Sequence, residues 1–252
     1  MPNLPTHMYL AYQVAERLGW GEVYDQLGSC FLGSAAPDIR AMAKWPRERT
    51  HFAPLSVASV GAGARRMFEL HPELGDRRKL SPATQAFILG YISHLTADEV
   101  WIINIFRPHF DNHNLITENQ VEAHIWDRAL QLDMDWKARQ QLDTRCQLSD
   151  IMATSEQGVD LAFLGPEMLL EWREWVCRFL SWEFTWDRLK RALNRMYRDD
   201  TATQQQVDRF IATMPSSLER VYQAIPEEKL ATYQQEVVAG TLAQVQEYWG
   251  EA

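Results

Sequence analysis

The stretch PATQAFILGYISHLTADEVWIINIF, residues 82–106, decides how this chain is read. Pro82 stands where a helix can begin, because a proline in the first turn gives up an N–H that would have no partner there. Leu, Ile and Trp follow at helical spacing and mark a side to be buried. Within it, GYISHLTADEVW (residues 90–101) also carries His94 and Asp98, four positions apart, so both project from one face. Such a pair either stabilises a helix surface by a few tenths of a kcal/mol, roughly, or presents ligands to a metal, with the carboxylate able to bridge two ions.

Working outward, nearly every segment reads as helix. In HMYLAYQVAERLGW, Leu10, Val14 and Leu18 recur every four residues with Ala11 beside them, and Pro5 and Thr6 supply a start signal. Helix is expected over 54–70, over 82–106 and, with Leu170, Trp175, Phe179, Trp182, Trp186, Leu189 and Leu193 at helical spacing, over 167–197. Another is expected from Thr203 to Ile225, and a last one after Pro226 to Trp249. Residues 107–119, RPHFDNHNLITEN, read as a loop. There is no alternating strand pattern, internal repeat or low-complexity linker. The expectation is one all-α domain over residues 1–252, a multi-helix bundle with a histidine-bearing part in 1–130 and C-terminal helices over 150–252. The tryptophans are expected to pack in its core and rim.

Composition narrows the setting. The 252 residues suffice for a single core, and 46% hydrophobic with 23% charged residues is ordinary for a globular chain. No uninterrupted apolar run of about 18 residues occurs, so no transmembrane segment is expected. The N-terminus lacks a basic region before its apolar residues, and Cys30, Cys146 and Cys177 form no CxxC pair. Both fit a reduced cytoplasmic setting. The net charge of -9 argues against duplex nucleic acid and anionic membrane surfaces as partners. Residues 40–79 nevertheless carry +5 against -14 for the remainder, which suits a small anionic ligand such as a phosphoester. Oligomeric state is not legible.

Familiar catalytic signatures are missing. VGAGARRMF has Gly61 and Gly63, but Arg66 replaces the third glycine of a dinucleotide fingerprint and no strand precedes it. GxxxxGK[ST], HExxH and GxSxG do not occur. What stands out is the histidines: all seven, His7, His51, His71, His94, His109, His113 and His124, fall in the first half. A metal site assembled there would explain the segregation, imidazole being the commonest metal ligand.

An early His7, then Pro37-Asp38, then His51, then GxxxHxxxD at Gly90, His94 and Asp98 resembles, in order and type, the zinc-dependent phospholipase C family, which shares its helical fold with the single-strand-specific zinc nucleases. The resemblance covers roughly residues 5–130 and implies a metal-dependent phosphoester hydrolase with one to three zinc ions. It implies that His51, His94 and Asp98 bind a first zinc, and that His7 serves a neighbouring metal with Asp98 shared. Asp38 would lie by the metal-activated water as ligand or general base, and Arg47 or Arg49 would hold phosphoryl oxygens. The family supplies a further metal through later histidines and a His-xxx-Glu; here His113 and His124 are the candidates, but Arg128 stands where that Glu belongs. Met1 also precedes His7 by several residues, whereas the secreted family members ligate through a mature N-terminal tryptophan. The rival reading is a non-catalytic or degenerate metal-binding helical protein with a structural or interaction role. His71 is expected to be structural or exposed.

Overall fold

A computed structural model describes residues 3–198 and 200–250. Ten helices of eight or more residues build it: α1 (Leu4–Leu18), α2 (Leu27–Ala35), α3 (Ala62–Leu70), α4 (Pro82–Val100), α5 (Gln120–Arg145), α6 (Pro166–Ser181), α7 (Asp187–Met196), α8 (Thr201–Ala212), α9 (Ser216–Ala224) and α10 (Glu227–Trp249). Short helical turns join them, and no strand occurs among the described residues. The protein is all-α.

The axis of the molecule is α4. Ser81 caps it, its hydroxyl accepting from the Thr84 N–H at 3.1 Å, and Pro82 takes the first turn. The helix continues through a π-helical turn, Trp101–Phe106, and one more turn, Arg107–His109. This stretch, Pro82–His109, is the one helix among the described residues long and apolar enough to cross a membrane, and 94% of its apolar window is buried within the protein. Its environment explains that composition. α2, α1 and α10 all pack directly on it, so every face of α4 meets protein and none reads as a polar stripe.

The tightest of these contacts is α2 on α4. A Cβ on Gly33 would stand 2.0 Å from the Phe87 carbonyl oxygen, and one on Gly90 would stand 1.9 Å from that of Cys30. Only glycine permits backbones this close. On the other side, α10 ties down through Gln244 Nε2 to Thr96 Oγ1 (2.9 Å) and Tyr233 OH to the Ala97 carbonyl (3.3 Å). Phe31, Phe87, Tyr91 and Trp172 centre one apolar cluster; Trp101, Phe110, Leu189 and Val237 centre another. Full burial of side chains of this size contributes about 1.5–3 kcal/mol each.

Three expected helices differ in extent. Over 54–70 only Ala62–Leu70 is helical, because the Glu99 carboxylate accepts the backbone N–H of Gly61 (2.6 Å) and Gly63 (2.7 Å) and so fixes the start there. The 167–197 pattern is divided into α6 and α7. The intervening WEFTW is rich in aromatic and β-branched residues, and Arg188 donates to the freed carbonyls of Trp182 and Glu183 at 3.2 Å. The 203–225 segment is divided into α8 and α9 at Pro215, which has no N–H to continue the ladder. The tryptophans split as well: Trp101 and Trp172 are core, whereas Trp136 and Trp182 are 42% and 57% exposed.

Candidate metal centre

The α2–α4 crossing sets the first ligand. With the two backbones in contact at Gly90 and Gly33, the Ser34 carbonyl reaches His94, whose Nδ1 donates to it at 2.7 Å. A carbonyl only accepts, so the proton sits on Nδ1 and the Nε2 lone pair is left facing inward. His51 is oriented in the same manner. The Thr50 hydroxyl donates to the Pro37 carbonyl (2.7 Å) and lies 3.2 Å from His51 Nδ1, placed to accept from it, while Tyr91 OH donates to the Thr50 carbonyl at 2.5 Å. Phe52, the next residue, holds φ at 56°, a left-handed conformation that an aromatic residue adopts only under surrounding constraint. His7, in the first turn of α1, stacks on His94 with ring centroids 3.8 Å apart.

Asp98 lies at the centre. Its Oδ2 is 3.2 Å from His51 Nε2 and 3.7 Å from His94 Nε2, and those two nitrogens are 3.3 Å apart. Its Oδ1 is 3.6 Å from His7 Nε2, is buried, and accepts no hydrogen bond from the described residues. Arg47 Nη2 donates to Oδ2 at 2.8 Å, while Arg47 Nε and Nη1 are buried without a partner among the described residues. Asp38, in the turn Ala36–Ile39, brings Oδ1 to 3.8 Å from His51 Nε2. His7, His51, His94 and Asp98 are at most 1% exposed, and Asp38 at 33% is the member open to the outside.

The electrostatics suit ligation. Burial drives His7 and His94 down to about 3, against the opposing pull of Asp98, so both rings are neutral near pH 7. Burial alone would raise the Asp98 carboxyl; His94, His51 and Arg47 beside it hold it well below the usual carboxylate range. Neutral imidazoles and an ionised carboxylate are the protonation states that a metal requires. Zinc at about 2.0–2.1 Å from tetrahedral ligands sets them about 3.3 Å apart; the 3.2 and 3.3 Å separations of His51 from Asp98 and His94 match that spacing, and the 3.7 Å between His94 and Asp98 is wider. Two overlapping groups converge closely enough to hold an ion: His7, His94 and Asp98; and Asp38, His51 and His94.

The remaining candidates lie elsewhere. His113 is exposed in the loop before α5. His124 on α5 is half-buried between Gln120 Nε2 (2.6 Å from its Nε2) and Tyr197 OH (2.5 Å from its Nδ1). Neither is brought into the cluster, and Asp127, near His124, instead accepts from Trp101 Nε1 and Gln131 Nε2. Arg49 is exposed with its guanidinium over the Trp45 ring. His71 packs against Phe163 and Phe52. Three supporting residues had no sequence signal that named them: Ser34 and Thr50, which orient imidazoles, and Tyr91, which holds Thr50. Glu99 did have one, as an acid beside Asp98 in an apolar helix; burial pushes it up to about 7 against the pull of its Gly63 and Gly61 bonds.

No protein-family model, no curated protein and no solved structure matches this chain.

Proposed function

We propose that this protein is a metal-dependent phosphoester hydrolase, with zinc as the metal and a chemistry like that of the zinc-dependent phospholipases C that the motif order resembles. The observation that carries the reading is the set of inward-facing donors from His51, His94 and Asp98 at near-tetrahedral separations, with the half-open Asp38 on the outer side. Imidazole nitrogen with carboxylate oxygen is a donor set that zinc takes, and the motif order supplies the choice of zinc. His51, His94 and Asp98 would hold the first ion, and His7 with the free Oδ1 of Asp98 would hold a second.

Zinc bound there supplies Lewis acidity toward a phosphoryl oxygen and acidifies water. The rest falls to the chain. Asp38, the only partly solvated carboxylate of the cluster, takes the proton of the attacking water on its Oδ and so acts as general base. Arg47 keeps Asp98 ionised through Nη2 and has Nε and Nη1 left to donate to a phosphoryl oxygen as negative charge builds there. The buried rings of His7, His94 and His51 exclude water from the inner side.

The test is elemental analysis of protein purified without added metal, beside a His94→Ala, Asp98→Ala double variant, followed by assay on small phosphoesters. About one or more zinc per chain, lost in the variant, with hydrolysis abolished by Asp38→Asn, supports the proposal. Zinc bound without turnover of any phosphoester selects instead the non-catalytic metal-binding reading, which the scattering of His113 and His124 favours. No metal bound even on addition of zinc sinks both.

A further inference from the structure

Asp38 has a second neighbourhood. It lies on the rim of a cleft of about 380 Å³ whose other lining includes Arg40, Arg128, Arg188, Arg191 and Arg195. Asp135 is the one other acid in that lining, and Asn3 and Thr6 already bond it. Among the described residues no carboxylate comes within ion-pair distance of any of the five arginines. Elsewhere arginines of this acidic chain do find acids: Arg77 pairs with Glu22, Arg139 with Asp143, Arg173 with Glu156.

The placement on α7 is unfavourable for the helix itself. Arg188, Arg191 and Arg195 follow at spacings of three and four, so three cations share one face, where like charges repel. Arg188 serves the fold, donating to the Trp182 and Glu183 carbonyls at 3.2 Å and lying over the Phe179 ring, but among the described residues no such bond falls to Arg191 or Arg195. The wall opposite is flat and apolar: Trp175 stacks on Trp172 with ring centroids 4.8 Å apart, and Phe179 stacks on Trp175 at 5.5 Å.

We infer that this cleft recognises the substrate, and that the substrate is a small phosphoester carrying at least two phosphate groups. One phosphate sits at the Asp38 end beside Arg40, and the other is held further along by Arg128, Arg191 and Arg195. The carbon portion, beyond the second phosphate, lies against Trp175. Arg128 already donates to Gln131 and Arg188 to two carbonyls, but a single phosphate would leave part of the donors of Arg40, Arg191 and Arg195 unmatched; a second one engages the fork-shaped donors that arginine offers to phosphate oxygens. The assignment of the Asp38 end as the reacting end rests on the function proposed above. The polyanion site itself rests only on the arginines.

The experiment is calorimetric titration of the full chain, kept in chelator so that no metal contributes, with inorganic pyrophosphate and separately with orthophosphate. Pyrophosphate should bind at least about tenfold more tightly than orthophosphate and weaken steeply with added salt. An Arg191→Gln, Arg195→Gln double variant should lose that preference while its circular dichroism and melting stay those of the parent. Arg128→Lys, which keeps the charge but not the fork, should lose part of it. Equal affinities for the two anions, or a double variant that still prefers pyrophosphate, would overturn the inference. Because no metal and no turnover enter the measurement, a protein that prefers pyrophosphate yet hydrolyses nothing with zinc would retain the polyanion site and lose the hydrolase reading.

Discussion

The histidine cluster against α4 and the arginine cleft lined by α5, α6 and α7 meet at Asp38 and differ in almost every other respect. The first is closed, with His7, His94 and Asp98 at most 1% exposed, and charge there is balanced inside the protein, Arg47 against Asp98. The second is open, its cations unpaired among the described residues and its helix face repulsive. A buried site depends on the fold for its geometry and in turn constrains the fold. In the open cleft Arg188 ties down the break between α6 and α7, whereas Arg191 and Arg195 make no bond to the rest of the described residues. The two regions should therefore respond to substitution in opposite ways.

The largest effect should come from Arg47→Ala. It leaves Asp98 ionised and buried without its cation, and the metal-free protein should lose about 3–5 kcal/mol in chemical denaturation. Added zinc should recover much of that loss, since a divalent ion supplies the missing charge; a variant indifferent to zinc would break the comparison. Next is Gly90→Ala, whose new methyl meets the Cys30 carbonyl at 1.9 Å and should destabilise by about 3 kcal/mol or more. Gly75→Ala, with nothing within 4 Å, is its control.

Asp135 sharpens the picture through pH. Burial, opposed by its bonds to Thr6 and Asn3, raises it from 3.8 to about 6. Its pKa is higher folded than unfolded, so its contribution is present below the unfolded value and lost as pH rises through the folded one. Denaturation midpoints of wild type and Asp135→Asn at about pH 4 and pH 7.5 should show wild type losing up to about 3 kcal/mol relative to the variant over that interval. The smallest effect belongs to the Arg191→Gln, Arg195→Gln protein. Its stability should stay within about 0.5 kcal/mol of the parent or rise slightly, as like charges leave one helix face. A loss of several kcal/mol would mean that the cleft, too, is built into the fold.

Much of the architecture was legible in residue spacing. The helical period of 82–106, Pro82 at its start, and the stretch from Pro226 to Trp249 all correspond to observed helices. The division of 167–197 was not legible, because hydrophobic periodicity runs unbroken across Trp182–Trp186 and the break is satisfied by Arg188 reaching back to the Trp182 and Glu183 carbonyls, a contact that periodicity does not encode. At the site, His94 and Asp98 stood out because acids and imidazoles are rare on a buried face. Their convergence with His7, Asp38 and His51 involves separations along the chain that no local pattern encodes. Arg47 read as a ligand for phosphate, and in the structure its nearest anion is Asp98. The arginine face of α7 was hidden for a plainer reason: one arginine every third or fourth residue is what any solvated helix looks like until its neighbours are known.

The contact of α2 with α4 carries a last consequence, for anyone who would trace this site across other genomes. A search keyed to imidazoles and carboxylates would accept a chain with every donor in place and an alanine at position 33 or 90. In such a chain the two helices would stand apart, the Ser34 carbonyl would no longer reach His94, and the donor set would survive on paper alone. The informative letters in that search are the two with no side chain.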